Sequence, residues 1–467
     1  MARSRELRFN AFNMMAPSHN WAGLWSHPRD TSLDYNSLDY WVNYARTAER
    51  GLLDGIFLAD VFGVYDVYDN SPETALRHAV QLPNAEPTLL VSAMALVTKH
   101  LGFGITSNLT YEHPYQFARR FSTLDHLTGG RIAWNIVTGY SAAASRAVGR
   151  ADIMAHDPRY DLADEFLDAV YALWEGSWDD EAIVVDPIKG VIADPHHIRK
   201  VHHHGAHFKV DAIHLAHPSP QRTPFLFQAG ASNRGKDFAA RHAEAVFLGE
   251  HSKARTSANV AETRARARAF GRDEHDIRFY ALTTVIVAET RVAAEAKYRD
   301  YQRYIDPKGS LALLSGWTGI DLSRYSLDDP FPTVKKDNAV TSMIDSFSRS
   351  ERPWTIREII EHNGIGGRGP VIVGSPAEVA DELQAWVNET DIDGFNLSYA
   401  VTPGGYRDFA ELVVPELQRR GVYKTEYAPG TLREKVFGTG RARLPSSHPA
   451  ARFRPSAAGR TPKAASA

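Results

Sequence analysis

Pro224-Phe225-Leu226-Phe227-Gln228-Ala229-Gly230-Ala231-Ser232-Asn233-Arg234-Gly235 decides how the rest of the chain is read. The apolar run from Pro224 to Phe227 predicts a buried strand. The run breaks at Gly230 into small and polar residues, and a helical pattern follows from Lys236 to Ala245. A strand that passes directly into a helix is one half of a βαβ unit. The same turn leaves free backbone N–H groups and a serine hydroxyl at a helix N-terminus, an anion site suited to a phosphate. An ordinary strand-to-helix turn is the plainer alternative.

Outward from this stretch the unit recurs. Strands are expected at Leu7–Phe12, Gly55–Ala59, Gly102–Ser107, Arg131–Val137, Pro224–Ala229, Ala245–Leu248, Ile277–Ala288 and Gly394–Tyr399. Helices are expected between them at Leu38–Arg50, Pro87–His100, Pro114–Leu127, Asp161–Trp174, Ser257–Phe270, Val292–Tyr304, Pro376–Asn388 and Asp408–Arg420. About eight such units favour a closed (β/α)8 barrel, the TIM-barrel class of α/β fold, over an open doubly wound sheet. No G-x-G-x-x-G follows the first strand, which argues against a dinucleotide-binding fold. The expected domain is 1–437, with insertions at about 176–222 and 305–368 that shape the active-site mouth. The Arg/Pro/Ala/Ser-rich tail, 438–467, reads as disordered.

Composition narrows the class. At 43% hydrophobic and 23% charged, the chain has the makeup of a soluble globular protein. It has no cysteine, which removes disulfides, thiolate metal sites and a cysteine nucleophile and fits a reducing compartment, so a cytoplasmic protein is expected. The N-terminal residues carry no apolar signal region, and no run long enough for a membrane span occurs. A net charge of −3 gives no reason to expect a nucleic-acid partner.

In a barrel of this kind, functional groups stand at the C-terminal ends of strands. Here those ends carry Asp60, Thr106-Ser107-Asn108, Asn135 through Thr138, and Gly230-Ala231-Ser232, groups able to hydrogen-bond a polar heterocycle. Each taken singly also reads as a turn cap. His156-Asp157-Pro158-Arg159-Tyr160 stands just before a helix, where Tyr160 and Arg159 can reach a phosphate. Phe12, Phe57 and Phe247 lie in or just past strands and are candidate walls of an apolar pocket, with barrel-core packing as the alternative. The histidines at 196–197, 202–204 and 207 lie in a polar insertion without helical pairing to a carboxylate, so no metal site is expected. No nucleophile elbow or P-loop is present.

Several motifs together resemble the flavin-dependent, two-component monooxygenases of the bacterial luciferase-like superfamily. They are Ser122-Thr-Leu-Asp-His-Leu-Thr-Gly-Gly-Arg131, Trp134-Asn-Ile-Val-Thr138, His156-Asp-Pro-Arg-Tyr160, Ala163-Asp-Glu-Phe166, Ser219-Pro-Gln-Arg-Thr-Pro224, Gln228-Ala-Gly-Ala-Ser232 and Asp393-Gly-Phe-Asn396. The resemblance is to the branch acting on nitrilotriacetate, dibenzothiophene sulfone and dimethylsulfide, and within it Ala59–Tyr68 and Asn396–Gly404 are most similar to the dimethylsulfide enzymes. It implies FMN, supplied reduced by a separate NAD(P)H-dependent flavin reductase, with O2 as co-substrate. FMN contacts carry over to Asp60, Thr106, His156, Tyr160 and Ser232, with Tyr160 and Ser232 at the phosphate. His19 matches a pocket histidine and becomes the candidate for proton handling, because an imidazole titrates near working pH. Gly139 stands where sulfone-oxidising relatives tend to have serine, and Trp317 roughly where they have a second histidine, which disfavours that substrate. Oxidation of dimethylsulfide with C–S cleavage is the expected reaction; riboflavin cleavage to lumichrome and nitrilotriacetate oxidation are alternatives, although Arg119-Arg120 is the only basic pair in evidence for the latter. A non-catalytic flavin-binding protein is the alternative of another class. The resemblance implies a homodimer or homotetramer.

Overall fold

The barrel strands are short runs buried on both faces, and this requires cover on both. In the computed structural model, which describes residues 6–332 and 354–455, the strands are β1 Arg8–Met14, β2 Gly55–Ala59, β3 Gly102–Asn108, β4 Ile132–Val137, β5 Phe225–Gln228, β6 Ala245–Leu248, β7 Arg278–Val287 and β8 Gly394–Ser398. All pair in parallel, in the order β6-β5-β4-β3-β2-β1-β8-β7, and β6 pairs with β7 to close the ring. This is the expected TIM barrel.

The pleat sorts the side chains. Phe9, Ile56, Leu58, Phe103, Ile105, Trp134 and Phe395 point outward into the layer beneath the helices. Phe12, Phe57, Phe225, Phe227, Tyr280 and Leu282 fill the interior. Gly104 belongs to this packing, because a Cβ there would lie 3.1 Å from the Phe57 ring. At the N-terminal end of the strands, Leu432 and Val436 of the helix Leu432–Phe437 plug the barrel. Arg433 of that helix is buried and donates from Nε to Glu244 Oε1 at 2.6 Å.

Helix bounds shift by a few residues, as where Leu90–Leu96 and Asn233–His242 stand for the runs expected over Pro87–His100 and Lys236–Ala245, and three further details differ from the sequence reading. Val371–Gly374 is a further strand, paired in parallel with the second half of β7 from Thr284 onward. The helix expected from Asp161 begins at His156, so Tyr160 lies inside it. Pro158 stands in its first turn, where a missing N–H breaks no helical bond.

The third correction concerns the tail. Residues 438–455 were expected to be disordered and are instead folded against the barrel. Leu444, His448 and Ala450 are buried, and Pro449–Phe453 forms a 3-10 turn. His448 Nε2 donates to His242 O at 2.9 Å, and Arg454 Nε donates to Glu175 Oε2 at 2.7 Å. A few apolar anchors suffice to hold a polar segment when the groove is already built. Residues 456–467 lie outside the described residues.

The first insertion forms two hairpins, Ile183–Asp186 with Val191–Ala193 and Val201–His204 with Lys209–Ala212. The second contributes the helices Pro307–Thr318 and Ile356–Asn363, and its residues 333–353 lie outside the described residues. No helix among the described residues is long and apolar enough to cross a membrane.

Candidate functional site

Polar residues gather where β2, β3, β4 and β5 end. They line a cavity of about 290 Å³ whose wall includes Asp60, Thr106, Thr138, His156, Tyr160, Gly230, Ala231, Ser232 and Phe247. Nine of the sequence candidates are thus brought to one cavity.

One end is an anion cradle. Ser232 caps the helix Asn233–His242, its Oγ accepting from Gly235 N at 3.0 Å. Tyr160 reaches across from the other helix toward Ser232 and Gln228, which ease the burial-driven rise in its hydroxyl pKa. A Cβ at Gly230 would lie 2.3 Å from Gln228 Nε2 and 2.7 Å from the Tyr160 hydroxyl; one at Gly235 would lie 2.8 Å from that hydroxyl. Two backbone segments therefore approach the phenol more closely than any side chain permits, and a helix N-terminus faces the gap. Phosphate chemistry fits this arrangement. Arg234 stacks 5.6 Å from the Tyr160 ring centroid and is held by Asp161 at 3.0 Å and Asp164 at 2.7 Å.

The β2–β4 side supplies hydrogen-bonding groups for a heterocycle. Asn135 lies a layer beneath the cavity wall, its Nδ2 donating to Thr106 Oγ1 at 2.8 Å, while its Oδ1 is buried without a partner among the described residues. Gln228 Oε1 is likewise unpartnered. Asp60 Oδ1 accepts from Asn84 Nδ2 at 2.9 Å, and burial pushes its pKa up to about 6. His156 Nδ1 lies 2.6 Å from Asp157 Oδ1. The orphaned amide oxygens and the glycine cradle suit a flavin mononucleotide, which offers both ring N–H groups and a phosphate.

The remaining candidates stand apart from the cavity wall. Phe12 and Phe57 are 5% and 2% exposed, barrel-core residues that underlie Phe247, with Phe12 at 5.0 Å and Phe57 at 5.8 Å. His19 packs edge-on to Phe12 at 4.3 Å, and burial lowers its pKa to about 3. The imidazole is therefore neutral throughout the physiological range, which removes the near-neutral titration that first drew attention to it. Trp317 is not part of the cavity wall; it packs behind it, tilted against Trp21 at 6.1 Å and under Arg368 at 5.7 Å.

Sequence reasoning missed Tyr140 and Arg368, both in the cavity wall. Tyr65 donates to Gln81 Oε1 at 2.7 Å, so Tyr140 must donate to Tyr65 across their 2.7 Å contact. Gln81 Nε2 then donates to His19 O at 2.6 Å, which makes a directed hydrogen-bond chain from the cavity to the His19 loop. No spacing rule in the sequence links these four positions.

The family model described as luciferase-like monooxygenase matches residues 11–393. Dimethyl-sulfide monooxygenase of Hyphomicrobium sulfonivorans is 47% identical, over 96% of this chain and 94% of that protein. Long-chain alkane monooxygenase of Geobacillus thermodenitrificans is 46% identical, over 97% and 98%. A crystal structure of riboflavin lyase with modified FMN and riboflavin superposes with a TM-score of 0.91 at 36% identity, covering 97% of this chain and 100% of that one. Matches of this extent, on a closed parallel barrel, place the chain in the luciferase-like monooxygenase family, whose members are flavin-dependent oxidoreductases.

Proposed function

We propose that the enzyme uses reduced FMN and O2 to oxygenate a small organic substrate, taking the flavin from a separate NAD(P)H-dependent reductase. The observation that carries this reading is the cradle of Tyr160, Ser232, Gly230 and Gly235 opening onto a cavity with an aromatic wall at Phe247. Bound FMN would supply the oxygen activation. The chain's own groups bind and enclose it. Tyr160, Ser232 and the helix N-terminus hold the phosphate. Asp60, Thr106, Thr138 and the Asn135 that orients Thr106 meet the ring system, with His156, Gly230 and Ala231 closing the cradle. Phe12, Phe57 and Phe247 keep water from the barrel side. His19, neutral and buried, would hold a hydrogen bond at a ring nitrogen; its Nδ1 faces Asn20 Nδ2 at 3.5 Å.

For dimethylsulfide the balanced reaction is dimethylsulfide plus O2 plus FMNH2 giving methanethiol, formaldehyde, water and FMN. Motif likeness makes it the first substrate to assay, yet the alkane enzyme is almost as similar, so identity alone does not choose. A coupled assay with FMN, NADH, a flavin reductase, O2 and dimethylsulfide tests the reading. Methanethiol and formaldehyde are expected. Lumichrome from added riboflavin would instead assign the alternative lyase chemistry, and flavin binding without substrate-dependent oxidation would overturn the oxygenase in favour of a flavin-binding protein.

A further inference from the structure

Arg159, Lys236 and Arg368 are the cationic side chains of the cavity wall. Two are committed. Lys236 Nζ is 2.6 Å from Glu262 Oε2, and Arg159 Nη1 donates to Met154 O at 2.5 Å. Arg368 makes no hydrogen bond or ion pair with any described residue; its guanidinium lies over the Trp317 ring at 5.7 Å. The carboxylate nearest in effect, Glu250, is engaged elsewhere, accepting from Asn259 Nδ2 at 3.2 Å and facing Arg255 Nε at 3.5 Å. Gly249 leaves the guanidinium uncovered on its side, since even a Cβ there would only reach contact at 3.6 Å. A half-buried guanidinium backed by an indole, with no counter-ion in contact among the described residues, is arranged to receive an anion from the cavity.

Its placement says which anion. The turn Gly364–Gly369 that carries Arg368 is locked to the His19 loop: a Cβ at Gly367 would lie 2.8 Å from Asn20 Cβ. The phosphate cradle is built from β5 and the two helices that carry Tyr160 and Ser232, and already has its own donors. Arg368 therefore belongs to the end of the cavity nearest the His19 loop, where the hydrogen-bond chain from Tyr140 ends on the His19 carbonyl. Tyr140 spends its proton on Tyr65, which leaves the guanidinium as the open donor there.

We propose that Arg368 binds an acid group of the substrate, so that the preferred substrate class is a small anionic thioether, a carboxylate or sulfonate, rather than a neutral sulfide. This rests on the oxygenase reading above and deepens it: dimethylsulfide presents the bond to be cleaved without the group that Arg368 holds.

The test is calorimetric titration of the FMN-loaded full chain with 3-(methylthio)propanoate and with its neutral methyl ester, in wild type, Arg368→Lys and Arg368→Met. Wild type should bind the acid at least about tenfold more tightly than the ester, a preference lost in Arg368→Met and partly kept in Arg368→Lys. FMN affinity, measured by quenching of flavin fluorescence, should stay the same in both variants and reports their folding. Equal binding of acid and ester by wild type overturns the proposal, as does an acid preference that survives Arg368→Met. Weakened FMN binding with unchanged riboflavin binding in Arg368→Met also overturns it, by assigning the arginine to the phosphate. An intact acid preference without flavin-coupled oxidation of either ligand supports the anion site and overturns the oxygenase reading instead.

Discussion

On the proposed reading, Tyr160 and Ser232 are separable from the rest of the site because theirs are the side chains that would meet the phosphate. Tyr160→Phe and Ser232→Ala should each weaken FMN binding about tenfold while riboflavin, which lacks the phosphate, binds as before. Fluorescence titration with both flavins checks this, and equal losses for the two would place these residues elsewhere. Asp60 carries a different signature. Its carboxyl titrates near 6 because burial disfavours the anion. Below about pH 4 both folded and unfolded chains hold the proton. Between about 4 and 6 only the folded chain does, so ionisation progressively penalises the fold as pH rises. Asp60→Asn should remove a penalty on the order of 2 kcal/mol at pH 7 and raise the thermal midpoint there but not at pH 4. His19 is predicted to lower turnover about a hundredfold when replaced by Ala. With its pKa near 3, it should leave no inflection near pH 6.5 in the kcat profile of the wild type.

At the scale of elements, the continuous apolar runs made the barrel legible, since a strand buried on both faces has no alternation to read. Gly230 and Ser232 marked the cradle because a strand-to-helix break is a local event. Val371–Gly374 was not legible: it is four residues long, follows Pro370 and leans on half of β7. Arg368 was not legible either, because its place is set by Trp317 and Gly249, which are distant in sequence, and by the lack of a contacting carboxylate among the described residues. The tail misled through composition. Its Arg, Pro and Ser content reads as unfolded, yet Leu444 is 1% exposed in a groove made by other elements. Leu444→Ala should therefore destabilise the protein by about 2–5 kcal/mol, the range for emptying a buried leucine site, and appear as a lowered thermal midpoint. An unchanged midpoint would show that the segment contributes nothing to the fold.

Across the whole molecule, burial has set several histidines against acid. His19 titrates near 3, and His214 and His251 near 4, each lowered first by desolvation, with neighbouring His126 adding to the effect at His214 and His362 at His251. An unfolded histidine takes up its proton near 6.5, so between that pH and about 4 the unfolded chain binds more protons, and stability rises with pH. At pH 5 each of the three should have lost on the order of 2 kcal/mol relative to neutral pH. Asp60 acts in the opposite direction over part of the same window, relieving on the order of 1 kcal/mol on going from pH 6 to 5. Burial also lowers the pKa of His242, His362 and His448 and raises that of Asp30 and Asp125, so the lowered imidazoles outnumber the raised carboxyls and the thermal midpoint should fall from pH 6.5 to 5. His214 offers the cleanest check: it lies away from the cavity, in contact with Ser122 at 2.9 Å through Nε2. His214→Gln keeps a hydrogen-bonding group without a titrating one. It should flatten the slope of the midpoint against pH while leaving FMN affinity alone, whereas an unchanged slope would mean that the acid sensitivity arises outside this set of buried imidazoles.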